Sequence, residues 1–315
     1  MFGVGYFAVI FSIFFTDVAF CGRREFTRHI VTGSHEFPYL CSVDYKNNFV
    51  FACSILTKNV VVVSVSNMNQ VITRGKTPRY YNDIGSLAVI AGSPYRNPSQ
   101  FENLPPGAQR VKVHGFFTGR LALTEANCTD YDLTTFMKFK LFDTAPKINF
   151  GFLRTVRAFV MSRDVVRLPL MFKFKRLLLR TENIINHLEG PDLPLMTCKI
   201  AGWDEQTSRK VFHHVMYVPK PLCRIAYCGY NVDACFGFID TSPEVCFKSA
   251  YWGGPCAKDT GSALFCKHFN GGNIFAILTT AINCEKGNLP CVYTAMTQVV
   301  SHYQKIFGET YEPSI

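Results

Sequence analysis

The hydrophobic pattern along the chain is mostly that of short strands. Asn59 to Ser66, NVVVVSVS, is β-branched and short, and Lys58 and Asn67 bound it, so it reads as a strand. Thr197 to Trp203 (TCKIAGW) and Asn273 to Ile282 (NIFAILTTAI) behave alike, each beside Gly or Asn. Gly271-Gly272 reads as a hairpin turn. Near the C-terminus the period changes. In TAMTQVVSHYQKIFG, Met296, Val299, Val300, Tyr303, Ile306 and Phe307 fall three or four apart, the spacing of one helical face, and Gly308 can stop the helix. No internal repeat or low-complexity segment interrupts this order. The pattern predicts an all-β fold, stapled by disulfides and closed by a terminal helix.

Composition adds a compartment and a charge. Of the 315 residues 48% are hydrophobic, enough for one large core or two small ones. The first 21 residues read as a secretory signal: the apolar run from Tyr6 to Phe15 is short for a membrane span and Asp17 interrupts it. A retained signal-anchor is the alternative. No later stretch is long and apolar enough to cross a bilayer. Thirteen cysteines become twelve if cleavage follows Cys21, an even number suited to an oxidising compartment. Asn127-Cys128-Thr129 is a glycosylation sequon, which agrees with secretion. The cysteines lack the paired spacing of a zinc ribbon, and the adjacent His213 and His214 point to opposite faces of a strand. No metal and no cofactor are expected.

The net charge of +10 favours acidic partners. It concentrates between Arg154 and Arg180, where eight basic residues meet one acid, Asp164. Two readings stay open for this basic insertion, placed near residues 150–190. It is a surface element whose charges keep it wet, or a patch for a sulfated polysaccharide or another anionic surface, with Arg167, Lys173, Lys175, Arg176 and Arg180 as its contacts. Nucleic acid is not expected.

Several segments, in order, resemble the chymotrypsin-like serine proteases. Ile30-Val31-Thr32-Gly33 with Glu36-Phe37-Pro38-Tyr39 is similar to that family's mature N-terminus. FACSILTKNVVVVSVSN (51–67) is similar to the segment ending in its catalytic histidine, and YDLTTFMKF (131–139) to the strand headed by its aspartate. TCKIAGW (197–203), CAKDTGSALFC (256–266) and LPCVYTAM (289–296) resemble its later strands and nucleophile loop. The likeness runs from residue 30 to 307. It implies a double six-stranded β-barrel with a C-terminal helix over 30–310, preceded by a short pro-segment at 22–29.

The same likeness puts the chemistry in question. That family needs a serine whose proton a histidine accepts, with an aspartate holding the histidine. Here the three positions fall on Thr260, Ser66 and Asp132. A serine hydroxyl is no general base near pH 7, and the extra methyl of threonine crowds a pocket shaped for serine. The glycine of the oxyanion turn is Lys258. The specificity position is Gly254, and two glycines that keep the pocket open are Ala281 and Cys291, with Thr280 beside the substrate backbone. The residue before Ile30 is His29 rather than Arg, so a cut after Arg28 leaves the chain one residue too long to deliver an Ile amine to Asp259.

Three family disulfides are implied by the likeness: Cys198–Cys266, Cys223–Cys246 and Cys256–Cys284. Cys41 and Cys53 lie on segments expected to pair as a hairpin, which suits a fourth. The expectation is a secreted, catalytically inactive serine protease homologue, a glycoprotein that binds active proteases, their substrates or inhibitors. The competing expectation is an active hydrolase using Thr260 with a relocated base.

Overall fold

The computed structural model describes residues 29–30, 34–65, 68, 81–96, 103–118, 122–124, 149–170, 181, 184–186, 188–189, 197–230, 244–250, 253–268, 271–282 and 289–308. The signal segment, Ser66, Asn127, Cys128, Asp132, Lys173, Lys175, Arg176, Arg180, Cys235 and Cys284 lie outside the described residues.

Two closed six-stranded antiparallel barrels and a C-terminal helix make up the fold, the chymotrypsin-like architecture. Barrel one uses β2 (Leu40–Tyr45), β3 (Asn48–Ile55), β4 (Val60–Ser64), β5 (Leu87–Ala91), β6 (Gln109–Phe117) and β8 (Phe150–Thr155). Barrel two uses β9 (Thr197–Trp203), β10 (Lys210–Val218), β11 (Glu244–Ser249), β12 (Ala263–His268), β13 (Gly271–Thr280) and β14 (Cys291–Ala295). If each barrel's strands are numbered in chain order, the neighbours run first, second, third, sixth, fifth, fourth in both, and the pairing of first with fourth closes each ring. Two short strands hang outside: β1 (His29–Ile30) on β10, and β7 (Ala122–Thr124) on β6. Closure removes the open edges that a flat sheet would present.

The sequence explains why β4 carries valine at every apolar position. Val61 and Val63 point into barrel one, while Val60 and Val62 point outward against α2 (Met296–Phe307). With both faces covered, alternation disappears, and each fully buried valine contributes about 1.5 kcal/mol or more. β8 does the same with bulkier residues. Leu153 fills the barrel, while Phe150 and Phe152 lie against His302, Tyr303 and Phe307 of the helix, with ring centroids 5.4–5.9 Å apart. Ala263, Ile274 and Ile277 of barrel two join this cluster, so α2 covers the seam between the barrels. Its predicted face is the buried one, and Gly308, at φ 65°, ends it.

Three elements differ from the sequence reading. Phe150–Thr155 is the sixth strand of barrel one, so the basic stretch near 150 begins as part of the barrel and not as an insertion. Its apolar side chains were spaced for two buried faces, which hid the strand period. Gly271 and Gly272 open β13 instead of turning the chain; a Cβ on Gly272 would lie 2.0 Å from the Phe265 ring. A second helix, α1 (Lys220–Tyr230), lies where the sequence pattern predicts no element. Pro221 in its first turn suits a helix start, and Cys223 and Tyr227 form its buried face, the Tyr227 hydroxyl donating to the Pro290 carbonyl at 2.7 Å.

Cys41–Cys53, Cys198–Cys266 and Cys223–Cys246 are disulfides. Cys228 and Cys256 are also disulfide-bonded. Among the described residues no helix is long and apolar enough to cross a membrane.

The segment following β1 is tied to barrel two by a buried cation. Lys210 is fully buried, and its ammonium donates to the carbonyls of Ser34 at 3.3 Å and Glu36 at 3.2 Å. Asp164, which accepts a hydrogen bond from the Ser34 hydroxyl, and Glu36 supply the opposing charge. Burial outweighs them and lowers the Lys210 pKa from 10.5 to about 8. Between those two values the unfolded chain holds a proton that the folded one has released, so folding stability gains as pH rises through the window. Urea unfolding from pH 8 to 10 should therefore show the stability difference between the wild type and Lys210→Met moving in favour of the wild type. A difference that stays flat, or moves the other way, contradicts this burial.

Candidate functional site

The loop between Cys256 and Ser262 joins the barrels, and its centre is Asp259. Its carboxylate is buried, with Oδ1 accepting the Trp203 N–H and Oδ2 accepting the Cys256 N–H, both at 2.9 Å. Trp203 ends β9, so one side chain fixes the loop both to itself and to barrel two. Gly202 makes the approach possible: a Cβ there would lie 2.5 Å from the carboxylate. Ile30, the residue whose amine the resemblance assigns to Asp259, lies in β1, opposite Val211 of β10.

Gly261 carries the loop onto barrel one. Its φ is +103°, open only to glycine without strain, and a Cβ would lie 2.4 Å from the Ala52 carbonyl in β3. Its carbonyl accepts the Ser54 hydroxyl at 2.8 Å, and its N–H donates to the Leu278 carbonyl in β13 at 2.8 Å. The loop thus touches β3, β9 and β13 within six residues.

Thr260 sits between these two anchors. It is 2% exposed, and its hydroxyl donates to the Ala257 carbonyl at 2.7 Å. A carbonyl accepts a hydrogen bond but cannot take the proton, so this contact turns the hydroxyl inward without activating it. Lys258 is exposed on the outer side of the turn.

The third predicted triad residue, Asp132, lies outside the described residues, as does Ser66. On the side away from β3, β4 pairs with β8, in the register Ser64 to Phe150. The residue at the head of that strand is Asn149. Its carbonyl accepts the Val65 N–H at 3.1 Å, one residue before Ser66. Its amide reaches across the seam, donating to the Thr279 carbonyl at 3.1 Å and to Thr280 Oγ1 at 3.0 Å. The Ser64 hydroxyl donates to the same Thr279 carbonyl at 3.0 Å. Sequence reasoning missed Asn149 because YDLTTFMKF offered an aspartate at a strand head. The signal available was INFGFLRT, a second strand-like run opened by a polar residue.

Gly254, Ala281 and Cys291 are all buried, and the Cys291 sulfur points at the Pro255 carbonyl, 3.9 Å away. Thr280, expected beside a substrate backbone, is engaged by Asn149. The structure brings Thr260, Asn149, Thr280 and the buried positions Gly254, Ala281 and Cys291 to one seam between the barrels. It gives Arg167 partners and intermediate exposure. Among the described residues no group of His, Cys, Asp and Glu is placed to hold a metal ion.

Compared with known protein families and with curated proteins, the chain matches none.

A carbonyl needs a donor, so the seam calls for an amide at 149 and not for a carboxylate. Asn149→Asp should lose about 1–3 kcal/mol of stability at pH 7 by chemical denaturation. The loss should shrink below about pH 4, where a protonated acid can donate again. Unchanged or raised stability at pH 7 would mean that the site was built to hold an acid.

Proposed function

We infer that the protein is a secreted serine protease homologue without turnover, which acts by binding extracellular proteins such as active proteases, their substrates or inhibitors. The observation that carries this reading is the Thr260 hydroxyl, buried and donating to the Ala257 carbonyl at 2.7 Å. Acyl transfer needs a nucleophile whose proton has somewhere to go. Among the described residues the bonded groups of the seam include carbonyls, hydroxyls, the Asn149 amide and the Asp259 carboxylate, the last holding the Trp203 and Cys256 N–H groups. At the remaining base position the sequence has Ser66.

Three further features support a binding role. The Asp259 carboxylate accepts two backbone N–H groups, and Ile30, the residue whose amine the resemblance assigns to it, is paired in β1 with Val211. Gly254, Ala281 and Cys291 are buried, and the last two carry side chains where the resemblance expects glycine. The disulfides suit an oxidising compartment. Loss of triad members costs on the order of 10⁶ in turnover in proteases of this kind, and what survives depends on the oxyanion hole and on substrate binding. Lys258 at the oxyanion turn, and Ala281 and Cys291 in the pocket wall, stand where the resemblance expects glycine.

The test is reaction of the purified protein with a fluorophosphonate probe, before and after trypsin treatment. No labelling above a heat-denatured control is expected in either state. Labelling that Thr260→Ala removes would overturn the reading in favour of a hydrolase with a base elsewhere in the chain.

A further inference from the structure

Beyond the seam, the strongest chemistry on the surface is a band of positive charge on barrel one. β6 alternates strictly in its first half. Val111 and Val113 are buried in the barrel, so Arg110, Lys112 and His114 face solvent in a line, about 7 Å apart along the strand. The connection leaving β8 runs alongside. The Val156 N–H donates to the Lys112 carbonyl at 2.9 Å, and the Arg157 guanidinium donates to the Arg110 carbonyl at 3.3 Å. Lys58, exposed in the turn before β4, is brought to the same place by the Phe159 N–H, which donates to its carbonyl at 2.6 Å. Arg163 is exposed six residues after Arg157.

Residues 56–59, 87–91, 105–117 and 150–163, which build this face, contain no Asp or Glu. Asp164, just beyond them, already accepts the Ser34 hydroxyl and faces the Lys210 charge. A wet but functionless surface usually mixes both signs. Here cations gather on three separate stretches of chain that carry no acid of their own, with Asp164 at the rim beside Gly107.

The band also has a hollow. A depression of about 370 Å³ lies between Gly107, Gln109, Arg157, Val160 and Ser162. Its wall is fixed, because the Gln109 amide exchanges two hydrogen bonds with the Val160 backbone, at 2.6 and 2.8 Å. The Arg157 guanidinium spends one donor on Arg110 and has others for a ligand.

We propose that this face, with Arg110, Lys112 and Arg157 at its centre, binds a sulfated polysaccharide chain. A row of cations fits a linear polyanion lying along the strand, the guanidinium forks match sulfate oxygens bidentately, and the hollow takes a sugar ring. A lipid surface fits less well. The exposed apolar residues of this face are Val156 and Val160, whereas membrane-seated elements bring Trp, Phe or Leu. The site differs from the Arg167 to Arg180 stretch named from sequence, and it stands whether or not the protein turns over substrate.

The experiment is retention on immobilised heparin over a salt gradient, with equilibrium binding to soluble heparin at 0.1 M salt. The wild type should bind, and the triple variant Arg110→Gln/Lys112→Gln/Arg157→Gln should bind about tenfold or more weakly with a shallower salt dependence. A second triple variant, Arg209→Gln/Lys267→Gln/Lys305→Gln, removes the same charge from exposed positions away from this band and should stay within about threefold of the wild type. Matching melting temperatures show that all three proteins are folded. Equal weakening in both variants would reduce the effect to net charge and overturn the site. So would full retention of the first variant, with loss instead on neutralising Lys173, Lys175 and Arg176. Binding to phosphatidylserine vesicles but not to heparin would overturn the choice of ligand.

Discussion

A single buried carboxylate, Asp259, fixes the arrangement on which the seam between the barrels depends. It has no exposed face, so its charge must be met by donors inside the protein. The Trp203 and Cys256 N–H groups meet it. Those two bonds hold a six-residue loop in one conformation, and Gly261 then presses that loop against β3. Every other feature of the seam takes its place from there. Thr260 is turned inward, the Ser54 hydroxyl reaches the Gly261 carbonyl, and β13 runs close enough for Ser64 and Asn149 to bond its Thr279 carbonyl. The constraint is geometric as well as electrostatic, because Gly202 and Gly261 leave room for no side chain.

That arrangement bears on function through what it uses up. In a two-barrel protease the cleft between barrels is where polar groups wait for a substrate. Here carbonyls and hydroxyls of the corresponding segments bond one another across the same cleft. The reading as a binding protein follows from this use of hydrogen-bonding capacity as much as from the replaced triad residues. It shifts attention to outer faces, of which the basic band along β6 is the one with the clearest chemical preference.

The sequence made the fold legible where its motifs sit on covalent or glycine-dependent geometry. Cys198 and Cys266 on β9 and β12, the Gly-rich turn around Asp259 and the period of α2 all carry constraints that few other arrangements satisfy. The first barrel was harder to read. β8 buries both its faces, Leu153 inward and Phe150 and Phe152 against the helix, so it lacks the alternation that marks a half-buried strand. Its neighbour in sequence, rich in Arg and Lys, drew it into an apparent insertion. With β8 hidden, Asn149 could not be seen as a strand head; Asp132, the expected triad position, lies outside the described residues. The band of Arg110, Lys112 and Arg157 was illegible for another reason: strand pairing, not proximity in the chain, brings those residues together.

The loop carrying Thr260 acts as a structural joint between the barrels. Native-state amide hydrogen exchange tests it most directly, at Trp203, Gly261 and Leu278, whose N–H groups donate to Asp259, Leu278 and Ser262. The account predicts that these amides exchange only through global unfolding, with opening free energies that fall with denaturant as the whole domain does. Exchange through a local opening well below the global stability, and insensitive to denaturant, would show a mobile loop of the kind that rearranges around a substrate, and would contradict the claim.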